Sequence, residues 1–408
     1  MSETVRIGAL GHAGDGIAET AEGRVFVPFT LPDETVVIER SGNRRRLVSV
    51  EEASPLRVAP VCRHFGTCGG CALQHMDRDA YLAWKREMVA KAFSQAGAAV
   101  AVEPSVAIAE GSRRRAVFSA TRTSRGLVLG FQRRGTNDIL PVEECPVLAP
   151  AIVSRLGILR EINAIAAVSR RVMRIAVVAA DNGLDIVVSG SGRPDERVLA
   201  TLGRLAADAA LARLTVDGRE VFMNRRPEID IGGAVLLPPP GGFLQASAAA
   251  EAAMAEAVLG HVGSARAVLD LFAGCGTFSL RLARNAPVTA VEGDAVLLAA
   301  LDLAARRSRG LKAITTRRRD LFRNPVSATE LSAFPAVVFD PPAAGARAQA
   351  EAMAQSRVER IAAVSCNPAT LARDARILLD GGYRLERVLP VDQFLFSPEI
   401  EVVATFSR

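Results

Sequence analysis

Apolar and polar residues alternate from position 5 to about position 50, and glycines at short intervals divide this stretch into short segments. A period of two is typical of half-buried β-strands, whereas an amphipathic helix repeats every three to four residues. The stretch shows almost no helical periodicity, so we predict a small N-terminal β-barrel.

A helical pattern follows at residues 77–96, where Asp77 is a residue type that caps helix N-termini and Gly97 comes directly after the last turn. Between Pro104 and about Pro238 the pattern is mixed, and we expect a second α/β domain. Its clearest strand-like runs are residues 127–132, 172–179 and 184–189.

From about Gly241 onward, apolar strands alternate with amphipathic helices, for example at residues 287–306. Such alternation predicts a doubly wound, mainly parallel sheet. The overall fold class is therefore α/β with a β-rich N-terminus. We divide the chain into a barrel at 1–56, a central domain at 57–238 and a nucleotide-cofactor domain at 239–408.

The composition is that of a globular protein, with 49% hydrophobic and 23% charged residues. A net charge of +6 fits a polyanionic partner, but surplus surface arginine explains it equally well. The arginines of one barrel hairpin form either a phosphate-binding face or a solvated turn: Arg40, Arg44, Arg45 and Arg46. Without a targeting segment or a long apolar run, we expect a cytoplasmic protein with no membrane partner.

A buried strand runs into a glycine-rich turn at residues 267–278, AVLDLFAGCGTF, where Gly274 and Gly276 let the backbone approach a ligand closely. Glu292 follows about twenty residues later at the end of the next strand, where acidic groups bind ribose hydroxyls. The two segments match the pattern of class I S-adenosylmethionine methyltransferases. The alternative is an ordinary α/β turn with no ligand.

Three further residues lie where strands of this domain are predicted to end or begin. Asp340 closes the VVFD strand, which puts it beside the cofactor, and Cys366 closes AAVSC at the same edge. A strand-end cysteine is often inert packing, but a thiolate that adds to carbon 6 of uracil makes carbon 5 nucleophilic. Glu401, in the last strand, is a candidate for the base that then removes the proton at carbon 5.

Four more cysteines form a separate group. Cys62, Cys68 and Cys71 share one glycine-rich loop, and the distant Cys145 directly precedes Pro146. Four thiolates can bind either zinc or an iron–sulfur cluster. Zinc sites usually contain two paired-cysteine knuckles, so this spacing favours a [4Fe-4S] cluster.

Together these segments resemble the RNA uracil-5 methyltransferases, in particular the branch that acts on 23S ribosomal RNA. The resemblance runs nearly from end to end through the barrel, the cysteine motif, FLQ, DLFAGCGTF, VEGD, DPPAAGA, SCNP and the terminal glutamate. It implies an OB-like TRAM barrel, a central α/β domain with an iron–sulfur cluster, and a Rossmann-like class I methyltransferase domain. RNA is the implied partner, and no obligate protein partner is expected.

The resemblance also implies a role for each matching residue. Cys366 would be the nucleophile, Glu401 the base, and Phe243 a neighbour of the target base. The [4Fe-4S] cluster would be held by Cys62, Cys68, Cys71 and Cys145. S-adenosylmethionine would be contacted by Gln245, Phe272, Thr277, Glu292, Asp320 and Asp340.

The chain departs from the family's pattern at two positions near the site. Ala343 replaces an arginine, whose interactions must be absent or supplied by a residue such as Arg347, and Glu399 replaces a histidine. Two alternatives to the ribosomal RNA enzyme remain. The first is a uridine-5 methyltransferase acting on tRNA; the second, which the two departures motivate, is a catalytically impaired RNA-binding or assembly factor. The intact Cys366 and Glu401 favour an enzyme.

Overall fold

The computed structural model describes residues 2–21, 23–41, 44–124, 126–167 and 171–408. The basic hairpin predicted from the sequence includes Arg44, whose side chain lies outside the part of the chain that the structure describes. Arg45 lies 3.8 Å from Glu3, and Arg46 forms an ion pair with Glu39 on the paired strand.

The N-terminal part is made of two three-stranded antiparallel sheets, in the orders β1-β5-β6 and β2-β3-β4. The chain between β1 and β2 joins them, because Ile7 N donates to Glu34 O and Gly8 N donates to Ile17 O. Both sheets contribute to one apolar core that includes Ile7, Val27 and Ile38. The strands are β1 Ser2–Arg6, β2 Ala9–Leu10, β3 Gly16–Thr20, β4 Gly23–Val27, β5 Thr35–Ser41 and β6 Arg44–Glu52.

The predicted helix is present as α1, Arg78–Gln95. Asp77 caps it by accepting hydrogen bonds from the backbone N–H groups of Asp79 and Ala80, at 3.0 and 3.1 Å. The helix packs against the C-terminal part of the chain, where Val89 and Phe93 join a core with strands of the second large sheet. The three-domain division of the sequence remains a prediction.

The central part is a seven-stranded sheet in the order β13-β12-β11-β10-β7-β8-β9, antiparallel except between β11 and β12. Its three strand predictions are confirmed as parts of β8, β10 and β11. The elements are β7 Arg115–Thr123, β8 Gly126–Gln132, β9 Ile139–Pro141, α2 Pro150–Val153, α3 Leu156–Ala166, β10 Met173–Ala180, β11 Gly183–Ser189, α4 Glu196–Asp208, β12 Arg213–Val216 and β13 Arg219–Met223. A small hairpin follows, β14 Ile229–Ile231 with β15 Ala234–Leu236.

The C-terminal sheet has the order β18-β17-β16-β19-β20-β22-β21, parallel except for β22. This confirms the prediction of a doubly wound, mainly parallel sheet. Its elements are α5 Ala248–Val262, β16 Val268–Leu271, α6 Ser279–Leu282, β17 Val288–Glu292, α7 Ala295–Arg307, β18 Ile314–Arg318, α8 Ala328–Leu331, β19 Ala336–Phe339, α9 Arg347–Ala354, β20 Arg360–Ser365, α10 Pro368–Asp380, β21 Arg384–Val391 and β22 Glu401–Ser407.

The prediction of one helix over residues 287–306 is wrong in its first half. Residues 288–292 form β17, which pairs with β16 and β18 and is largely buried between them. The helix begins only at Ala295, because Asp294 accepts hydrogen bonds from Val296 N and Leu297 N and so caps it. In the described part of the chain, no helix is both long and apolar enough to cross a membrane.

Candidate active site

The candidate site lies at the carboxyl edge of the C-terminal sheet, where β16 and β19 lie side by side. Helices leave this point of an open α/β sheet toward opposite sides, which opens a crevice for ligands. Asp340 N donates to Leu271 O across the two strand ends, at 3.3 Å. The predicted position of Asp340 at this edge is therefore confirmed.

The glycine-rich turn after β16 is bent by three residues with positive φ: Phe272 at 58°, Gly274 at 55° and Gly276 at 101°. A Cβ on Gly276 would lie 2.5 Å from the Leu301 side chain, so the turn packs closely on α7. A Cβ on Gly274 would meet nothing within 4 Å, so the backbone there faces open space. The turn can therefore cradle a cofactor at Gly274.

Glu292 ends β17, and its carboxylate is held in place by backbone donors. Gly274 N donates to Oε2 at 3.0 Å, while Gly293 N and Asp294 N donate to Oε1 at 2.6 and 2.9 Å. The carboxylate is thus fixed beside the glycine turn, which is the geometry expected of a ribose-binding group.

Cys366 and Glu401 come together because β20 and β22 are antiparallel neighbours. The ladder ends at the pair Ser365–Val402, and Cys366 follows Ser365 while Glu401 precedes Val402, so both lie at the same end of the two strands. They are close enough for the charge of Glu401 to raise the pKa of the Cys366 thiol. Cys366 is half-buried, and burial, followed by the charges of Glu401 and Asp340, raises the pKa of its thiol to about 11.

Glu401 is buried, and burial, followed by the charge of Asp340, raises its pKa to about 8. Its Oε1 accepts a hydrogen bond from Gln393 Nε2 at 3.1 Å, while Oε2 has no partner among the described residues. One carboxylate oxygen is therefore oriented by Gln393, and the other is buried without a hydrogen-bond partner among the described residues.

A chain of amide hydrogen bonds links Asp340 to Glu401. Gln245 Nε2 donates to Asp340 Oδ2 at 3.1 Å, and Gln393 Nε2 donates to Gln245 Oε1 at 2.8 Å as well as to Glu401. Burial raises the pKa of Asp340 to about 7, against the effect of the Gln245 hydrogen bond. Two candidate cofactor residues and the candidate base thus share one network.

The other predicted contacts lie around this centre. Phe243 is 53% exposed, and the Phe272 ring lies 5.4 Å from the ring of Phe322. Thr277 is buried at the end of the glycine turn. Asp320 follows β18, where it accepts hydrogen bonds from Phe322 N and Arg323 N and so stabilises a turn next to the loop of Glu292.

The structure shows the surroundings of the two residues that depart from the family pattern. The Ala343 carbonyl accepts hydrogen bonds from Asn367 Nδ2 and Thr370 Oγ1, so the turn after Asp340 is held without an arginine. Arg347 does not reach this turn in place of the missing side chain, because it is exposed and pairs with Glu351 at 3.0 Å.

Glu399 has an exposed side chain two residues before the candidate base. Its negative charge is one of the smaller influences that raise the pKa of Glu401. Its carbonyl accepts a hydrogen bond from the buried Lys85 at 2.6 Å.

The four remaining cysteines of the motif line one cavity of about 640 Å³, next to the candidate site: Cys62, Cys68, Cys71 and Cys145. Burial raises the pKa of Cys71 to about 12, with smaller effects from the other three thiols. Within the described ranges, no three Cys, His, Asp or Glu side chains are close enough to hold a single metal ion.

Three residues near the site were not identified from the sequence: Lys85, Arg115 and Gln393. The burial of Lys85 could have been predicted from its spacing in the sequence. The buried residues of α1 recur every four positions, as Tyr81, Lys85, Val89 and Phe93. No local sequence pattern indicated Arg115 or Gln393, since their contacts are made between distant parts of the chain.

Comparisons with known proteins identify the family. The family model described as tRNA (Uracil-5-)-methyltransferase matches residues 237–408. The chain is 47% identical over 404 residues to an uncharacterized RNA methyltransferase of Brucella melitensis, which covers 99% of this chain and 97% of that protein. It is 33% identical over 435 residues to the 23S rRNA (uracil(1939)-C(5))-methyltransferase RlmD of Chromohalobacter salexigens, covering 100% and 90%.

The chain belongs to the RNA (uracil-5-)-methyltransferase family. Among solved structures, this family member is similar to the Pyrococcus abyssi tRNA (uracil-54, C5)-methyltransferase in complex with S-adenosyl-L-homocysteine. The TM-score is 0.77 with 22% identity, over 99% of both chains. At that identity the likeness concerns the fold, which is that of class I S-adenosylmethionine-dependent methyltransferases.

Proposed function

We propose that this RNA (uracil-5-)-methyltransferase acts on a uridine of 23S ribosomal RNA through a covalent adduct between Cys366 and the uracil ring. The observation that supports the proposal is the end of the β20–β22 ladder at Ser365 and Val402, which brings the adjoining Cys366 and Glu401 to the carboxyl edge of the sheet, where Asp340 also lies. A nucleophile and a base on adjacent strands can act on neighbouring carbons of one ring.

The target uridine must leave its RNA fold to reach this buried edge. Extruding a base costs a few kcal/mol, and less when the base already lies in a loop. Phe243, with its exposed ring, offers a surface on which the extruded base can stack.

In the proposed reaction, the Cys366 thiolate bonds to carbon 6, and the electrons of the carbon 5–carbon 6 double bond move toward the carbonyl oxygen at carbon 4. Carbon 5 then accepts the methyl group. Glu401 removes the proton from carbon 5, the double bond re-forms, and the sulfur–carbon bond breaks. A carboxylate with a pKa of about 8 is well matched to accept a proton near neutral pH.

S-adenosylmethionine, when bound, supplies the electrophilic methyl group. The open backbone at Gly274 and the fixed carboxylate of Glu292 support its binding at this edge. We assign the cofactor contacts to Gln245, Phe272, Thr277, Glu292, Asp320 and Asp340.

We also propose that the four cavity cysteines hold a [4Fe-4S] cluster. A single zinc ion draws its thiolates to about 2.3 Å from one centre. The four thiols line one shared cavity, and three of them are close enough to raise the pKa of Cys71, which supports a cluster with one thiolate at each iron. The methyl transfer moves no electrons through the cluster, so we assign it a structural role.

Methyl transfer from labelled S-adenosylmethionine to unmodified, deproteinised 23S ribosomal RNA and to unmodified tRNA tests the proposal. We expect label in ribosomal RNA as 5-methyluridine with the wild type and none with Cys366→Ala. Label in tRNA alone would move the substrate to tRNA. No label in either RNA, with stable RNA binding, would support a binding or assembly factor instead.

A further inference from the structure

Arg115 lies between two groups of the proposed active site. It is the first residue of β7, and its guanidinium carbon lies 4.8 Å from the centre of the Phe243 ring. It also lies close enough to Glu401 for each charge to affect the pKa of the other group. With Gly241 and Gly242 it lines the cavity next to the site.

Arg115 differs from its two neighbours because, among the described residues, its side chain has no hydrogen-bond acceptor for Nε. Arg114 pairs with Glu251 at 2.6 Å, and Arg113 donates to the Arg115 carbonyl at 3.2 Å. Within the described part of the chain, Arg115 Nε is buried without an acceptor, and no carboxylate forms an ion pair with its guanidinium. Arg115 is half-buried, and a buried N–H without an acceptor is unfavourable, which indicates that a ligand supplies the missing acceptor.

The chemistry of the site identifies that acceptor. Glu401 removes a proton from carbon 5, and the carbonyl oxygen at carbon 4 is attached to the adjacent ring atom. A cation near Glu401 is therefore near this oxygen, on which negative charge develops when the thiolate adds.

We propose that Arg115 is a further catalytic residue, which donates hydrogen bonds to the carbon 4 oxygen of the target uracil and stabilises the enolate. This inference rests on the proposed function and adds an oxyanion-binding group to it. The sulfur–carbon 6 bond forms, the carbon 5–carbon 6 double bond breaks, and its electron pair reaches the oxygen that faces Arg115. That pair returns through carbon 5 to form the bond to the methyl group, and the sulfur of S-adenosylmethionine leaves with the electrons of its bond to the methyl carbon. When Glu401 takes the carbon 5 proton, the electrons of the carbon–hydrogen bond re-form the double bond, and the Cys366 thiolate leaves with the electrons of the sulfur–carbon 6 bond.

The test uses 23S ribosomal RNA transcribed with 5-fluorouridine. Fluorine at carbon 5 cannot be removed as a proton, so the covalent protein–RNA adduct accumulates in the presence of S-adenosylmethionine. Its formation rate is measured for the wild type, Arg115→Met and Arg115→Lys. Arg174→Met is the matched control, because Arg174 is an exposed arginine on β10, about 13 Å along the strand from the residue paired with Arg115.

We expect Arg115→Met to form the adduct roughly a hundredfold more slowly, as when one oxyanion donor is removed. Arg115→Lys should recover part of the rate, and Arg174→Met should keep the wild-type rate. RNA affinity and the slope of log K against log salt should stay unchanged in all variants. If Arg115→Met does not fold, the adduct rate of Arg115→Lys is compared with that of the wild type instead. That variant is used only if its unfolding temperature equals that of the wild type.

A wild-type adduct rate in Arg115→Met, or in Arg115→Lys when only that variant folds, would overturn the inference. So would weaker RNA binding with a salt slope smaller by about 0.9, because that result assigns Arg115 to a phosphate. If the wild type itself forms no adduct, the proposed covalent function fails, which is distinct from a failure of the Arg115 assignment.

Discussion

Gln393 connects the two halves of the proposed chemistry. Its amide donates to both Gln245 and Glu401, and Gln245 in turn donates to Asp340. Each candidate carboxyl therefore has one oxygen oriented by an amide. Such support from neighbouring side chains fixes reacting groups in place before the substrate arrives.

The raised pKa of Glu401 predicts how proton removal depends on pH. Only the ionised carboxylate can accept the carbon 5 proton, and below a pKa of about 8 most of it is protonated. Release of tritium from RNA labelled at carbon 5 of uridine should therefore speed up as pH rises through about 8. Gln393→Leu removes a hydrogen bond that lowers the Glu401 pKa, so it should move this rise to higher pH. A wild-type rate that does not change with pH would contradict the assignment of Glu401.

Asp270 predicts a pH dependence of stability. It is fully buried, Ser279 Oγ donates to Oδ2 at 2.5 Å, and Oδ1 has no partner among the described residues. Burial raises its pKa from 3.8 to about 7. Between these values the folded chain holds a proton that the unfolded chain releases, so Asp270 makes the protein less stable as pH rises.

Asp270→Asn should remove this contribution, because the amide is neutral at every pH. Above pH 7 we expect the cofactor-free variant to be more stable than the wild type by about 1–3 kcal/mol, measured by urea unfolding. Asp208→Asn, at an exposed position of α4, is the control for the loss of one charge. Equal stability of Asp270→Asn and wild type at both acidic and alkaline pH would show that the Asp270 pKa is not raised.

Helix α1 holds the segment that leads into Glu401. Lys85 is fully buried and its Nζ donates to Asp392 Oδ1 at 2.5 Å, to Phe394 O at 3.2 Å and to Glu399 O at 2.6 Å. Tyr81 OH donates to the same Asp392 carboxylate at 2.8 Å. One helix thus fixes both ends of a loop that has no regular structure of its own.

Lys85→Met should loosen this loop and leave Asp392 buried with only Arg78, 3.3 Å away, as an ion partner. Breaking one partner of a buried ion pair costs about 3–5 kcal/mol. We expect a loss of that size in urea unfolding and a lower rate of methyl transfer. Lys91→Met, at an exposed position of the same helix, should keep both properties. If the two variants behave alike, Lys85 does not hold the loop.

Elements with strong local signals could be predicted from the sequence. Helix α1 has a capping aspartate and a following glycine, and the strand before the glycine turn is a short apolar run. The elements within residues 287–306 were harder to predict from the sequence. Only Gly293 and Asp294 separate strand β17 from helix α7, so the two elements look like one. The loop before Glu401 has no periodicity, so nothing local indicated how Lys85 holds it.

The cysteine loop contacts distant parts of the molecule at once. Gly69 N donates to Gln132 O in the central sheet, and Ala72 N and Leu73 N both donate to Phe396 O in the loop before Glu401. Beside this loop, Arg134 joins the central part to the N-terminal part through Asp15, at 2.6 Å. The cysteine loop is therefore hydrogen-bonded to the segment that leads into the candidate base.

The proposed cluster can be tested by chemical composition and by its effect on stability. Protein purified without oxygen should contain iron and acid-labile sulfide in equal amounts. Cys71→Ser should lose most of the iron and unfold at a lower temperature, whereas Cys275→Ser, outside the group, should retain the iron. Zinc without sulfide in the wild type would contradict the cluster.

At the scale of the whole molecule, the sequence motifs identified the fold class and the edge of the sheet where the candidate residues meet. The sequence suggested Cys366 and Glu401 for one reaction, and the antiparallel register of β20 and β22 explains how two residues 35 positions apart reach the same edge. Arg115 and Gln393 could not be found at all, because the central sheet and the loop before β22 bring them to the site from 286 and 8 residues away from Glu401. Contacts of this kind depend on tertiary packing.

Mass spectrometry of Glu401→Gln after incubation with S-adenosylmethionine and 23S ribosomal RNA tests the central claim most directly. Without the base, methylation of carbon 5 should leave the ring attached to the protein. We predict a peptide in which Cys366 carries a methylated uridine, and no such peptide from the variant that also carries Cys366→Ala. Formation of free 5-methyluridine by Cys366→Ala at the wild-type rate would contradict the covalent mechanism.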